Sequence, residues 1–468
     1  APEAWSFKVA STYKGMFDAF FAIAKFDLAL EMAKRRLDVT GYGRGQEASC
    51  CKSEEGEVDK QQVAAESYLD IGRAYDAQSK YGLALENFGK SLAIYLDLFG
   101  NESHLSVAIV HNSMANVYQK QTQLDMAMAH YEKSLAIRLE KLGPNHPRVA
   151  LCYNNIGEVC RQQSALDKAL HYFQDSLKIY VNNFGEQHSE VATCYQNLGH
   201  IFLKLGNPEM ALRSYEKSFE IKVATLGERH PETAMCCNSI ANVYFTQSKL
   251  TLALQLYQQS MAVLLEKLGP EHIHIATCHS NMASVYRKQS LHEVALKHYQ
   301  KSLAITIARL GESAPEVATC HSNVASVLGS QDKYDLALDH YKKSLQIQQE
   351  VGGEMHATVA KCHFEIGGIY KDQSEFELAI QHFNRSRSIY AATLGARHSE
   401  VAACDNALGL LHAQQHHYES ALECQERALS IYTERYGDSH SKTEDVDLEV
   451  QKLRRKCTQK QQLRNSSY

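Results

Sequence analysis

The sequence predicts an all-α fold, a solenoid of antiparallel helix pairs, from three observations. Glycine recurs every 42 residues from Gly143 to Gly437. Within each period, apolar residues recur at spacings of three and four, which places them on one stripe of a helix. Most periods close with Leu-Gly or Phe-Gly, and glycine commonly ends helices. Self-similarity at a fixed period indicates stacked copies of one supersecondary unit, each packed against its neighbours.

Composition and charge argue against several classes of protein. Of the 468 residues, 44% are apolar and 22% are charged, as in well-packed soluble proteins. The net charge of −5 is too small to indicate binding of nucleic acid or of an anionic membrane. We find no apolar run of about 18 residues and no signal peptide, and the 13 cysteines form no Cys-x-x-Cys motif. The sequence therefore predicts a cytoplasmic protein in a reducing compartment, without membrane insertion.

The N-terminal segment, residues 1–40, reads as a degenerate helical repeat. Its apolar residues have helical spacing, and Lys25–Leu30 resembles Lys80–Leu85 in the first regular repeat. Terminal repeats diverge because one face meets water instead of a neighbour. We expect Trp5 to pack in this unit. Residues 41–62 follow, with glycines at 41, 43 and 45, and predict a flexible loop.

The central segment, residues 63–442, contains nine copies of one helix–turn–helix pattern. We number the positions of a repeat from 1 at Ala150. Position 20 is alanine and position 24 is usually aromatic, as at Phe173. Position 8 is small, and its residues are Gly72, Ala115, Gly157, Gly199, Ala241, Ala283, Ala325, Gly367 and Gly409. The small residue predicts a close approach of the two helices, with the aromatic ring filling the space beside it.

The ends of the helices also have sequence signals. Serine stands three residues before a carboxylate at Ser164, Ser290 and Ser374, which predicts an N-cap for each second helix. The second helix is expected to span about 18 residues and to end at the period glycine in a left-handed C-cap. A short loop follows, often with His-Pro.

At this point the repeat resembles a known family. The small position 8, the aromatic position 11, alanine at position 20 and the aromatic position 24 resemble the tetratricopeptide repeat; the position-11 aromatics include Tyr118, Phe202, Tyr244, Tyr286 and Tyr370. The 42-residue period and the Leu-Gly…His-Pro-x-Val-Ala junction are similar to the long variant of kinesin light chains. The resemblance implies a right-handed superhelix whose first helices line a concave groove. Kinesin light chains also have a heptad coiled coil before fewer repeats, so the resemblance concerns the repeat type.

Cysteine and histidine form two further ladders. Cysteine occupies position 3 in seven successive repeats, from Cys152 to Cys404. Stacked helices lie about 8–10 Å apart, whereas a disulfide needs Cα atoms within about 7 Å and zinc needs four converging ligands. We therefore expect core packing, with no metal and no cofactor. The 23 histidines recur at equivalent positions, and we expect repeated surface or boundary residues.

A polar ladder on positions 2, 5, 6, 9, 12 and 13 carries the functional prediction. The resemblance implies that this face lines the groove, where asparagine amides could hydrogen-bond an extended peptide and Arg or Lys could bind its carboxylates. The alternative is a solvated face or hydrogen bonding between repeats. The predicted peptide-binding residues are Asn112, Asn116, Lys120, Asn154, Asn155, Arg161, Asn197, Lys204, Asn238, Asn242, Asn281, Arg287, Lys288 and Asn323.

Residues 443–468 predict a polar capping helix and a tail. Val446, Leu448 and Leu453 share one side, which could cover the last repeat. The other side is basic, and without interleaved aromatic residues it favours a solvated cap over nucleic-acid contact.

The predicted function is a non-enzymatic interaction scaffold or adaptor that binds an extended, partly acidic segment of a partner protein. The alternative is a structural strut in a large ciliary or cytoskeletal assembly, contacting partners through its outer face and ends. An enzyme is disfavoured because the hydrolase, Walker, zinc-protease and dinucleotide motifs are all missing from the sequence.

Overall fold

The computed structural model describes residues 2–41 and 54–465, and every regular element in these two ranges is an α-helix. The chain divides into two compact units, Ala1–Glu228 and Arg229–Tyr468. Unit 1 contains α1 (Pro2–Ala22), α2 (Phe26–Thr40), α3 (Glu54–Ala77), α4 (Tyr81–Phe99), α5 (Leu105–Lys120), α6 (Leu124–Leu142), α7 (Pro147–Gln162), α8 (Leu166–Phe184), α9 (Ser189–Lys204) and α10 (Pro208–Leu226).

Unit 2 contains α11 (Pro231–Thr246), α12 (Leu250–Leu268), α13 (Ile273–Lys288), α14 (His292–Leu310), α15 (Pro315–Gly329), α16 (Tyr334–Gly352), α17 (Ala357–Asp372), α18 (Phe376–Leu394), α19 (Ser399–Gln414), α20 (Tyr418–Tyr436) and α21 (Ser441–Asn465). Within each unit an odd-numbered helix packs on the next helix as a pair, and a second helix also packs on the first helix of the following repeat of the same unit. The final helix, α21, packs on α20. The all-α solenoid of helix pairs is confirmed.

The predicted loop at residues 41–62 is too long. Helix α3 begins at Glu54, so residues 54–62 are helical. The glycines that predicted a loop all precede this helix, and the composition changes before the predicted boundary. Residues 42–53 and the side chain of Trp5 lie outside the described part of the protein, so the predictions made for them stay predictions.

The contact between the helices of a pair follows the small-and-aromatic rule. A Cβ atom added to Gly157 would lie 2.9 Å from the Phe173 ring, closer than side chains normally pack. Phe173 is fully buried, and so is Ala169 at position 20. Because the ring lies directly against the backbone of the first helix, a larger residue at position 8 would force the pair apart.

Position 27 holds a buried serine that joins successive repeats. The Ser176 hydroxyl donates a hydrogen bond to the carbonyl oxygen of Ala150 at 2.9 Å, on the first helix of the same repeat. Its Oγ also lies 3.5 Å from the Sγ of Cys194, on the first helix of the next repeat. Ser134 and Ser260 donate in the same way to Ala108 and Ala234. The small hydroxyl is thus satisfied inside the core, at the point where three helices meet.

The predicted serine N-caps are wrong. Ser164 has a left-handed backbone, with φ of 61°. The N-cap residue of α8 is Ala165, which makes no side-chain hydrogen bond to the helix. The Ala165 amide instead donates to the Cys160 carbonyl at 2.8 Å, closing the end of α7 in a Schellman-like turn. Ser290 and Ser374 have the same conformation. The serine ends the first helix, and its spacing to the carboxylate led the sequence argument to the wrong helix.

The period glycines adopt a conformation that few other residues tolerate. Gly185 has φ of 82° and ψ of 169°, and its amide donates to the carbonyl of Val181. The predicted positive φ is present, but ψ lies outside the left-handed helical region. This part of backbone space is essentially restricted to glycine, which gives a physical reason for glycine at this point of each repeat.

Each unit also contains one buried carboxylate held by several cations. In unit 1, Asp70 on α3 binds Lys14 of α1 at 2.9 Å and Arg36 of α2 at 3.3 Å. In unit 2, Asp405 on α19 binds Arg427 of α20 at 2.9 Å. Burial raises the pKa of Asp70 despite the neighbouring cations. These ion pairs tie the degenerate first pair to α3 and α19 to α20.

Candidate binding face on the first helices

The predicted asparagines of unit 1 hydrogen-bond to one another between repeats. The Asn155 amide on α7 donates to the side-chain oxygen of Asn112 on α5 at 3.1 Å. Asn197 on α9 donates in the same way to Asn154 on α7 at 3.0 Å. All four side chains are half-buried. Each pair therefore links two successive first helices and uses one donor and one acceptor of its amides.

Unit 2 has a weaker version of this ladder. Asn281 on α13 donates to Asn238 on α11 at 3.5 Å, at the limit of a hydrogen bond. Asn323 on α15 donates at 3.4 Å to the hydroxyl of Ser280 on α13. The longer distances indicate a smaller contribution to the contact between repeats than in unit 1.

Two further predicted residues satisfy buried tyrosines. The hydroxyl of Tyr131 donates to the side-chain oxygen of Asn116 at 2.5 Å, and Tyr257 donates to Asn242 at the same distance. Both rings are buried at position 24 of their repeats. An asparagine at position 9 thus serves the core of its own repeat. The alternative of hydrogen bonding within the array accounts for much of the asparagine pattern, and peptide contact by these amides stays a prediction.

Arg161 and Lys204, two of the predicted cations of unit 1, lie close together. Arg161 on α7 pairs with Glu158 one turn earlier, and its Nε lies 2.7 Å from a carboxylate oxygen. Lys204 on α9 makes no hydrogen bond or ion pair with a described residue. Burial and the nearby Arg161 charge lower the pKa of Lys204, and Glu158 offsets this in part. His200 lies in the same group, and burial lowers its pKa too.

We call Glu158, Arg161, His200 and Lys204 the cation cluster of unit 1. Arg161 is paired with Glu158 and Lys204 has no ion pair with a described residue, so the cluster has an excess positive charge. Glu158, Arg161 and His200 are half-buried, and Lys204 is exposed. A carboxylate or phosphate could bind to it by charge-assisted hydrogen bonds. The sequence prediction included Arg161 and Lys204 but missed Glu158 and His200. Both stand at position 9, which the polar pattern had already placed on this face.

The remaining predicted cations have internal partners or stand apart. Lys120 binds both oxygens of Asp76 on α3, at 2.7 and 2.9 Å. In unit 2, Lys288 donates to Ser248 at 3.0 Å and lies over the Phe245 ring at 5.0 Å. Arg287 is exposed and makes no hydrogen bond with the described residues. The structure therefore does not bring the cations of unit 2 into a cluster like that of unit 1.

Histidine has a role that the sequence analysis missed. Four pairs, each formed by positions 4 and 23 of one repeat, have their Nδ1 atoms 2.8 to 3.0 Å apart; they are His111–His130, His279–His298, His321–His340 and His363–His382. One nitrogen must donate and the other accept, so at least one ring of each pair must be neutral. Burial, the partner ring and a nearby lysine lower the pKa of His321 to about 4.

The cysteine ladder lies in the core, as predicted. Every cysteine from Cys152 to Cys404 at position 3 is buried, and none of these seven forms a disulfide. Burial raises the pKa of Cys194 to about 11, so its thiol stays protonated and unreactive near neutral pH. Among the described residues, no three His, Cys, Asp or Glu side chains are arranged to hold a metal ion.

Comparison with protein families identifies the repeat. The tetratricopeptide repeat model matches seven overlapping segments: residues 106–180, 166–222, 190–266, 235–308, 274–350, 316–392 and 358–434. The chain belongs to the tetratricopeptide repeat family. Arrays of this kind present extended surfaces to partner proteins, and this chain is a protein interaction scaffold of that class. No curated protein sequence matches the chain.

Several solved structures are similar to this chain. A putative kinesin light chain with nearly identical TPR-like repeats from Podosopora anserina is 19% identical, over 44% of this chain and 98% of its own, with a TM-score of 0.38. Apo RapI is 15% identical, over 61% of this chain and 98% of its own, with a TM-score of 0.50. Aspartyl phosphate phosphatase F from Bacillus subtilis is 11% identical, over 84% and 96%, with a TM-score of 0.50.

A search of the described helices for a membrane span was negative. None combines sufficient length and apolar character to cross a bilayer.

Proposed function

We propose that this scaffold binds an extended, acidic segment of a partner protein on the first helices of unit 1. The observation that carries the proposal is the cation cluster, in which Arg161 is paired with Glu158 and Lys204 lies near the positive charge of Arg161 without an ion pair to a described residue. The cost of holding Lys204 beside Arg161 without a partner would be recovered by an incoming anion. The binding of an acidic side chain here would raise the lowered pKa of Lys204.

The asparagine pairs define the rest of the proposed surface. Asn154 and Asn197 stand at positions 5 and 6 of their repeats. Arg161 and Lys204 stand about two helical turns further along the same helices. Their unused amide donors and acceptors could bind the backbone of the segment while the cluster holds an acidic side chain. Because Asn197 and Asn154 also join two repeats, their replacement would disturb the array as well as the ligand.

The test therefore changes the cations and leaves the amides intact. We would measure the binding of synthetic fifteen-residue peptides, identical except for zero, two or four Glu residues, by fluorescence anisotropy. The double variant R161A/K204A should lose at least tenfold in affinity for the four-Glu peptide, with a smaller salt dependence than the wild type. The matched control is K168A/K217A, which removes two exposed charges from α8 and α10. Equal binding by both double variants would reject the proposal.

A second candidate function is a strut that contacts partners through its outer face, as favoured by an apolar stripe on the second helices. In unit 2, position 19 is an exposed apolar residue in four successive repeats: Leu252, Val294, Leu336 and Leu378, which are 46%, 38%, 53% and 38% exposed. Exposed apolar residues in register indicate a contact surface more strongly than scattered ones. Cross-linking mass spectrometry would distinguish the two functions. Cross-links from partners to Lys297 and Lys343 on the second helices would favour the strut, and cross-links to Lys204 would favour the first-helix face.

A further inference from the structure

The first helices of most repeats begin with the same uncommon cap. The side chain of the N-cap histidine accepts a hydrogen bond through Nδ1 from the amide two residues later, as from Ser106 to His104 and from Glu400 to His398, both at 3.2 Å. Among the described repeats, this cap occurs at His104, His146, His188, His230, His272, His356, His398 and His440. We call the N-cap residue and the first turn of each first helix a joint. The joint of α15 is the exception, because its N-cap residue is Ala314, which makes no side-chain hydrogen bond.

The hydrogen bond works only while the imidazole is neutral. A protonated ring carries a hydrogen on Nδ1 and cannot accept from the amide. Its positive charge would also lie at the positive end of the helix dipole. Protonation of a capping ring therefore removes its hydrogen bond to the amide.

The charges around two of these caps support the same direction. Burial and the nearby Lys141 of α6 lower the pKa of His104, whose ring also stacks on Phe99 of α4 at 3.5 Å. Burial and Arg435 of α20 lower the pKa of His398, and Glu400 on its own helix offsets this in part. One of these joints lies in each unit.

We propose that the joints at His104 and His398 are acid-sensitive couplings, in which the N-cap histidine releases the first turn of the following helix on protonation. The joint at Ala314 lacks this response. Mild acid would then loosen the contacts at these two joints and leave the contact between α14 and α15 unchanged. This is a conformational response of the scaffold itself and does not depend on the ligand proposed above.

The test is hydrogen exchange of the full chain, measured by mass spectrometry at pH 7.5 and at pH 5.0 and corrected for the intrinsic exchange rate. Peptides covering residues 105–112 and 399–406 should lose about fivefold in protection at pH 5.0, since a cap of this kind is worth about that much in the local equilibrium. The peptide covering 315–322, which contains His321 but follows no histidine cap, should lose less protection. The acid response at the two histidine joints must exceed that at the alanine joint, or the proposal is wrong.

Matched variants separate the cap from its titration. Asparagine is a good N-cap that does not titrate near neutral pH, so H104N and H398N should keep the protection at pH 7.5 and lose the acid response at their own joint only. A314H should gain an acid response at residues 315–322. If H398N still loses protection at pH 5.0 as the wild type does, the response has another source and the proposal is overturned.

Discussion

Replacing Gly199 by alanine tests the close approach of the two helices in a pair. A Cβ atom at this position would lie 2.6 Å from Cε1 and 2.7 Å from Cδ1 of the Tyr215 ring. The ring is buried, and His200 packs edge-on against it at 5.4 Å, so it has little room to move. Alanine gains about 1 kcal/mol over glycine as a helix former, whereas overpacking a core costs about 1–3 kcal/mol. We expect a net loss of about 1 kcal/mol in the free energy of unfolding.

The control is Gly89, in the middle of α4 in the same unit. No atom lies within 4 Å of a Cβ atom built there, so G89A should gain up to about 1 kcal/mol. Urea unfolding, followed by circular dichroism, would give both free energies, and an unchanged slope with denaturant would show that the same transition is compared. If G199A is as stable as G89A, the glycine is not required for packing and the small-and-aromatic rule is wrong.

Three further predictions follow from buried groups. D405N should destabilise the protein by about 1–2 kcal/mol in urea unfolding, because Arg387 and Arg427 lose their shared buried partner but keep access to water. Through the pair His321–His340, the free energy of unfolding should fall by up to about 3 kcal/mol as the pH falls from 6.5 towards 4, since the pKa of His321 is lowered to about 4. The double variant H321Y/H340Y, which copies the tyrosine pair of α7 and α8, should show a smaller pH dependence of the free energy of unfolding. Y131F should cost about 1 kcal/mol in thermal unfolding by removing the hydrogen bond to Asn116, and an unchanged Tm would contradict that.

The helical pairs were predictable because their signals are local and repeated nine times. Glycine or alanine at position 8, alanine at position 20 and an aromatic at position 24 report contacts within one repeat, and the period fixes where each helix starts and ends. The serine before the second helix misled the sequence argument. Ser164 has the spacing of a capping box, but the left-handed turn that closes α7 uses the same residue. Only the backbone conformation separates these two uses.

The candidate site was predictable as a face but not as a set of contacts. The polar positions placed Arg161 and Lys204 on the same predicted face, but one sequence does not show that Asn155 reaches Asn112 in the preceding repeat. That bond depends on the stagger between repeats, which no local pattern encodes. For the same reason the sequence predicts only surface or boundary histidines. In the structure, the histidine pairs join the two helices of one repeat, and the N-cap histidines stand at the start of the first helix of the next repeat.

The most direct test of the proposed binding face is a charge exchange at Lys204. K204E should weaken binding of the four-Glu peptide by at least tenfold in isothermal titration calorimetry, because the new carboxylate would add to that of Glu158. A peptide with one of its four Glu residues changed to Lys should then bind K204E better than it binds the wild-type protein, at the register where the two residues meet. If K204E weakens all peptides equally and no Lys substitution restores binding, Lys204 does not contact the ligand and the proposed face is contradicted.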